Sequence, residues 1–177
     1  IGVGGAEGQL YELITHSDPS SVQHEVLYYS DARDEVMLER YRSGGINFSR
    51  IPRNRWRPIR FLRDLSNAIR QSQPDIVHCW LISSNFWGRL AAIWAGVKHI
   101  IVAWRSRNIW KSLGMKICEK LTTNKVHHTA NSFACASYIA EKLEISSNRF
   151  TVIYNGIDLD KYGIDVDRRQ IFSGISI

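Results

Sequence analysis

Gly4 and Gly5 run directly into a helix-forming segment, Ala6-Glu7-Gly8-Gln9-Leu10, and that junction is a candidate anion site. Glycine lets a backbone approach a ligand closely, and the first amides of a helix are unpaired donors at the positive end of its dipole. A phosphate suits such a turn. The spacing departs from the dinucleotide fingerprint, because after Gly2 and Gly4 the third glycine position holds Glu7. A nicotinamide-dependent dehydrogenase is therefore disfavoured.

A second group of residues follows four short apolar runs: His78 and Trp80 with Ser83 and Ser84, Arg105 to Asn108, Asn131-Ser132, and Asn155-Gly156-Ile157-Asp158. The planar donor fork of Arg105 suits phosphate or sugar oxygens. His78 reads as a strand-end hydrogen-bonding group, either structural or facing an acceptor. After the runs ending at Trp80 and Trp104 no Asp or Glu follows until Glu119, so no carboxylate base is offered there to an acceptor hydroxyl. Adjacent His127 and His128 fall in a strand, where neighbours point to opposite faces, and a shared metal ion is not expected.

The third group is basic. Arg50, Arg53, Arg55, Arg57, Arg60 and Arg63 follow one another with no acid between them, a footprint for lipid headgroups, a nucleotide or another polyanion. Nucleic-acid binding favours aromatics interleaved on the basic face, and only Trp56 and Phe61 offer that.

Positioning these groups falls to an alternation of helices and strands. The patterns predict helices over 6–16, 34–42, from Pro58 to Pro74, from Ser83 or Ser84 to Gly96, over 110–121 and over 133–143, the last capped by Ser132. Strands are predicted over 24–30, 46–51, 75–80, 99–104, 125–130 and 150–154, the last closed by the Asn155-Gly156 turn. In the Pro58 helix, Ile59, Leu62, Leu65 and Ile69 form the expected apolar stripe, with Arg60, Arg63, Asn67 and Arg70 on another face. This rhythm means βαβ units and a parallel sheet flanked by helices, with ligands beyond the carboxyl ends of the strands.

The 177 residues, 44% hydrophobic and 23% charged, suffice for one core, and the net charge is +6. The longest uncharged apolar stretch, 76–88, falls short of the roughly 20 residues a bilayer span needs. Cys79, Cys118 and Cys135 are odd in number and far apart, which suits a reducing, cytoplasmic setting. With no starting Met, the chain is expected to be cut at both ends.

With these residues assembled, the chain resembles the N-terminal, acceptor-side domain of family-4 glycosyltransferases, retaining nucleotide-sugar enzymes of the two-domain GT-B fold. The resemblance rests on four blocks in order: Gly4-Gly5-Ala6-Glu7 with Leu10, Pro74-Asp75-Ile76-Val77-His78, Ala130-Asn131-Ser132, and Val152-Ile153-Tyr154-Asn155-Gly156-Ile157-Asp158. It implies a Rossmann-like domain over 1–160 that lacks its first strand, the start of an interdomain linker over 161–177, and an absent C-terminal domain carrying the nucleotide-holding residues. It further implies a nucleotide-sugar co-substrate, a glycan or lipid-linked acceptor, no metal, and a cytoplasmic enzyme, peripheral at the inner face of a membrane. Gly4, Gly5 and Glu7 would meet donor and acceptor, as would Trp80, Asn108, Asn131, Ser132, Asn155, Gly156 and Asp158. His78 and Arg105 would serve catalysis, Arg105 standing where many relatives carry histidine. Arg53, Arg55, Arg57, Arg60 and Arg63 would contact the membrane or another polyanion, and a nucleic-acid partner is not expected. Two alternatives stay open: a non-catalytic α/β module that binds nucleic acid or another polyanion, and a nucleotide-sugar epimerase of GT-B architecture.

Overall fold

Six strands and six helices alternate along residues 5–29, 35–107 and 112–157, the residues that this computed structural model describes. Gly4, Asn108, Asp158 and the linker expected over 161–177 lie outside them. The order is α1 (Gly5–Thr15), β1 (Glu25–Tyr28), α2 (Glu35–Ser43), β2 (Asn47–Arg50), α3 (Pro58–Ser72), β3 (Ile76–Trp80), α4 (Leu81–Ala95), β4 (His99–Trp104), α5 (Leu113–Thr122), β5 (His127–Ala130), α6 (Phe133–Leu143) and β6 (Phe150–Val152).

Local chemistry sets most of these bounds. Pro58 opens α3, where its missing N–H is no loss, and Gly96 closes α4 in the left-handed conformation at φ 85°. Ser132 caps α6, its Oγ accepting the Cys135 amide at 3.1 Å. Two expectations need correction. Ser83 and Ser84 do not cap α4, which begins at Leu81 and carries both serines in its first turn. On α3 the buried face is Phe61, Leu65, Ser66 and Ile69, while Ile59 is 77% exposed. The stripe that packs is set by Phe61, whose ring meets Trp87 of α4 edge-on at 5.7 Å. Ile59, two residues earlier, is turned to the opposite side of the helix.

All strand pairs are parallel, in a two-stranded sheet, β1-β2, and a four-stranded sheet, β3-β4-β5-β6. Among the described residues no strand pairing joins the two sheets, and different helices cover them. Val26, Tyr28 and Phe48 pack with Tyr11 and Ile14 of α1 and with Met37, Leu38 and Tyr41 of α2. Leu27 and Tyr29, alternate residues of the β1 strand and its exit, instead join the core that Phe61, Leu65 and Ile69 form with Cys79, Ala91, Ala92, Ile100 and Val102. Farther along the same face, Ala136, Ile139 and Leu143 of α6 cover Trp104 and Ala130. The architecture is α/β and Rossmann-like, a parallel layer flanked by helices.

One charged pair is sealed inside. Arg89 of α4 and Glu119 of α5 approach to 3.2 Å with side chains 0% and 2% exposed. Burial lowers the Arg89 pKa and raises that of Glu119, and each charge opposes the shift of the other. Nearby, buried His128 receives the Trp104 indole N–H on Nδ1 at 3.2 Å. Indole only donates, so the ring proton sits on Nε2 and reaches Thr123 Oγ1 at 2.8 Å. Among the described residues no helix is long and apolar enough to cross a membrane.

Candidate functional site

Parallel pairing in common register brings the carboxyl ends of the strands level: Trp80 lies opposite Ala103, Ala103 opposite Thr129, and Thr129 opposite Thr151. The residues just beyond this row therefore share one rim. There the Arg105 guanidinium stacks over Trp80, its carbon 4.4 Å from the ring centroid, and Nη2 donates to Asn155 Oδ1 at 2.6 Å. Asn131 donates from Nδ2 to the Arg105 carbonyl at 3.2 Å and fixes the backbone from which the side chain springs. His78 adds its ring 5.1 Å from that of Trp80. Residues after β5 and β6 and at the end of β3 thus meet at Arg105.

The electrostatics of that cation are unusual. Arg105 is half-buried, and burial lowers its pKa, yet no carboxylate pairs with it among the described residues. Its hydrogen-bond partner is a neutral amide and its stacking partner a neutral indole. Among the described residues the charge is oriented but not neutralised, which suits it to receive an anion. On β3, protein packed around the His78 ring, and after it the Arg105 charge, lower the His78 pKa to about 4. The outward side of the ring is open to solvent, which softens both effects, and the imidazole is neutral near pH 7.

The first helix reaches the same rim. Gln9 Nε2 donates to the Gly156 carbonyl at 2.7 Å, joining residues 147 positions apart and setting the start of α1 beside the Asn155-Gly156 turn. Glu7 lies in the first turn of α1, and its carbonyl accepts the Tyr41 hydroxyl at 3.2 Å. Gly5 is the first residue of that helix. A Cβ built on it meets nothing within 4 Å, and its φ is outside the left-handed region. Neither space nor backbone angle among the described residues thus requires glycine at this position. Ser132 is spent on capping α6 and contributes to the rim through structure.

The basic run divides. Arg53 turns toward the rim, where Nη1 donates to Ser83 Oγ at 3.3 Å and the guanidinium lies 5.4 Å from the Trp87 ring. Arg55, Arg57, Arg60 and Arg63 remain exposed on the turn and outer face of α3. Sequence reasoning overlooked three participants: Gln9, Tyr29 and Leu81. Tyr29 OH lies 3.2 Å from Ser83 Oγ and 3.3 Å from Ser84 Oγ, and inspecting the residue after β1, as was done for the later strands, would have found it. Leu81, at φ 69°, makes the sharp turn from β3 into α4 and had no local signal. A concavity of about 380 Å³ opens elsewhere, lined by Lys98, Lys125, His127 and Arg149 at the amino ends of β4 to β6, away from these residues. His127 and His128 point apart, one exposed and one buried.

A Rossmann-like domain with a cationic rim at the carboxyl ends of its parallel strands is a frame for binding a phosphorylated ligand. The model of Glycosyltransferase Family 4 matches residues 3–161, and the chain belongs to that family. Solved structures share the fold. A glycosyltransferase from Rickettsia africae ESF-5 is 14% identical with a TM-score of 0.74, over 98% of this chain and 46% of that one. The lipopolysaccharide outer core galactosyltransferase WaaB, in its apo form, is 22% identical with a TM-score of 0.63, over 88% and 43%. Anabaena Alr3699/HepE, in complex with UDP and glucose, is 16% identical with a TM-score of 0.69, over 90% and 43%. The chain thus spans less than half the length of each of these relatives. None of the curated proteins matches it.

Proposed function

We propose that this chain is the acceptor-side half of a retaining glycosyltransferase, which moves a sugar from a nucleotide-sugar donor to a glycan or lipid-linked acceptor in polysaccharide or glycoconjugate synthesis. The observation that carries the reading is Arg105: a cation stacked on Trp80, tied to Asn155, and without a carboxylate partner among the described residues. In transfer the bond between the anomeric carbon and the donor phosphate oxygen breaks, and negative charge grows on the departing diphosphate. A fixed guanidinium at that point stabilises the transition state more than the ground state.

The retaining reading is supported by the segments after β3 and β4, which carry no acid before Glu119. An inverting enzyme needs a base on the acceptor side, and Glu119, the first acid after the β3 and β4 ends, is sealed against Arg89. The acceptor hydroxyl then gives its proton to the leaving phosphate oxygen as its own oxygen bonds to the anomeric carbon. No metal enters this scheme. The complex of HepE with UDP and glucose supports a nucleotide-sugar donor, and the galactosyltransferase WaaB of the lipopolysaccharide outer core supports a glycan or lipid-linked acceptor.

The deciding experiment is transfer from radiolabelled nucleotide-sugars, read by NMR for the anomeric configuration of the product. A form carrying a second, nucleotide-binding domain should transfer with retention, and the 177-residue chain by itself should transfer nothing. An inverted product would overturn the mechanism, and transfer by the single domain would overturn the division of labour between halves.

A further inference from the structure

The turn between β2 and α3 carries an exposed apolar pair set among cations. Trp56 is 86% exposed and Ile59 77% exposed. The turn is internally held: Asn54 Oδ1 accepts the Trp56 amide at 2.9 Å, and the Asn54 carbonyl accepts the Arg57 amide at 3.1 Å. Arg55, Arg57, Arg60 and Arg63 surround the pair, all exposed. The one acid of the segment, Asp64, lies 3.7 Å from Arg60 and 3.5 Å from Arg63, so four guanidinium charges face one carboxylate. Between Pro52, Asn54, Arg57, Arg60, Phe61 and Asp64 runs a groove of about 230 Å³, lined by two guanidinium groups and one carboxylate.

Apolar side chains in water are favoured to leave it, and clustered cations are favoured to meet anions. One surface satisfies both at once, the interface of an anionic bilayer, where indole and aliphatic groups enter the headgroup layer and arginines bind lipid phosphates. A single-stranded nucleic acid would instead need aromatic faces for its bases, and Phe61, the second aromatic of the run, is only 2% exposed. The location adds a reason. Strand β2 ends at Arg50 and α3 begins at Pro58, so the turn stands on the carboxyl-end rim, and Arg53 pins it there through Ser83.

We propose that the turn bearing Trp56 and Ile59, with Arg55, Arg57, Arg60 and Arg63, docks this protein on an anionic lipid surface and holds the Arg105 rim next to it. The docking does not depend on the catalytic reading, since it is measured as lipid binding without any transfer.

The test is co-sedimentation of the 177-residue chain with vesicles of phosphatidylcholine alone or mixed with phosphatidylglycerol. Binding should appear with the mixed vesicles, fall as salt rises, and shift tryptophan emission to the blue. Arg57→Glu and Arg60→Glu should each lower the partition coefficient about fivefold or more, given the attraction of one basic side chain to an anionic surface. Trp56→Ala and Ile59→Ser should lower it several-fold, with melts unchanged because both side chains lie in solvent. Equal recovery on neutral vesicles, insensitivity to salt, or full binding by these folded variants would overturn the proposal. So would an absence of vesicle binding together with nucleic acid that is retained through purification and released by salt.

Discussion

Two arginines of this molecule live in opposite circumstances. Arg89 is 0% exposed and lies 3.2 Å from Glu119, whereas Arg105 is half-buried at a strand end, with the neutral Asn155 and Trp80 as its partners. Each has a histidine in its field whose pKa falls to about 4, His128 beside Arg89 and His78 beside Arg105. The difference lies in what completes the charge. Inside the fold the complement is built in, and the pair answers to packing. At the rim no such complement is present among the described residues, and the proposed function gives that place to a ligand.

The sharpest way to break this comparison is Arg89→Ala. It strands the Glu119 carboxylate under the sheet, and a loss of about 3 to 5 kcal/mol in unfolding free energy is expected, read from urea or thermal melts. Replacing both partners, Arg89→Met with Glu119→Leu, should recover most of that loss, because no uncompensated charge remains. If Arg89→Ala costs under about 1 kcal/mol, the pair is not the structural seal described here.

Arg105→Ala should do the converse. In a form competent for transfer, turnover should fall by about 2 to 4 kcal/mol in the barrier, roughly thirty- to a thousand-fold, with the melt unmoved. Removing the cation should also raise the His78 pKa, which an NMR titration follows without any substrate. Normal turnover and an unchanged His78 titration would make Arg105 a surface residue like its neighbours.

A pH series separates the two histidines. Burial, and after it the charges of Arg89 and Arg149, hold His128 at about 4 in the fold against 6.5 for the free side chain. The unfolded chain therefore binds the extra proton first, and stability present above pH 6.5 is lost as pH falls through about 4. The loss from His128 should approach about 3 kcal/mol. Protonation places a second N–H on Nδ1 against the Trp104 indole donor. His78, open on one side, should contribute less, so His128→Gln should flatten the acid limb far more than His78→Gln.

The smallest expected effect is on stability at Gly5. Gly5→Ala should leave the melt within about 1 kcal/mol of the parent, since the added methyl meets nothing and alanine is the better helix former. A turnover defect in that variant would then report the close approach of a ligand. A large loss of stability would show that the fold itself needs glycine there.

Much of this could be read from the residues in order. The bounds of α6, opened by Ser132, and of β4, between the turn at Gly96 and Trp104, match their expected places because capping chemistry and apolar runs act within a few residues. The helix after Pro58 was equally legible, but its inward face was not. Ile59 and Phe61 are both apolar, and the edge-on contact with Trp87 on another helix is what selects Phe61. His78, Trp80, Arg105, Asn131 and Asn155 were legible as a set through one rule, that groups after parallel strands share a rim.

By itself, then, the sequence determined the alternation of elements, the parallel sheet and the family, since each rests on local periodicity, turn residues and motifs in order. The tertiary structure alone decided which charges are answered. Arg89 meets Glu119 across two helices, Arg105 reaches Asn155 from 50 positions away, and Arg53 parts from its neighbours to reach Ser83. Such contacts depend on strand order and register, which place distant residues within a few ångströms of one another, and no local pattern along the chain encodes that distance.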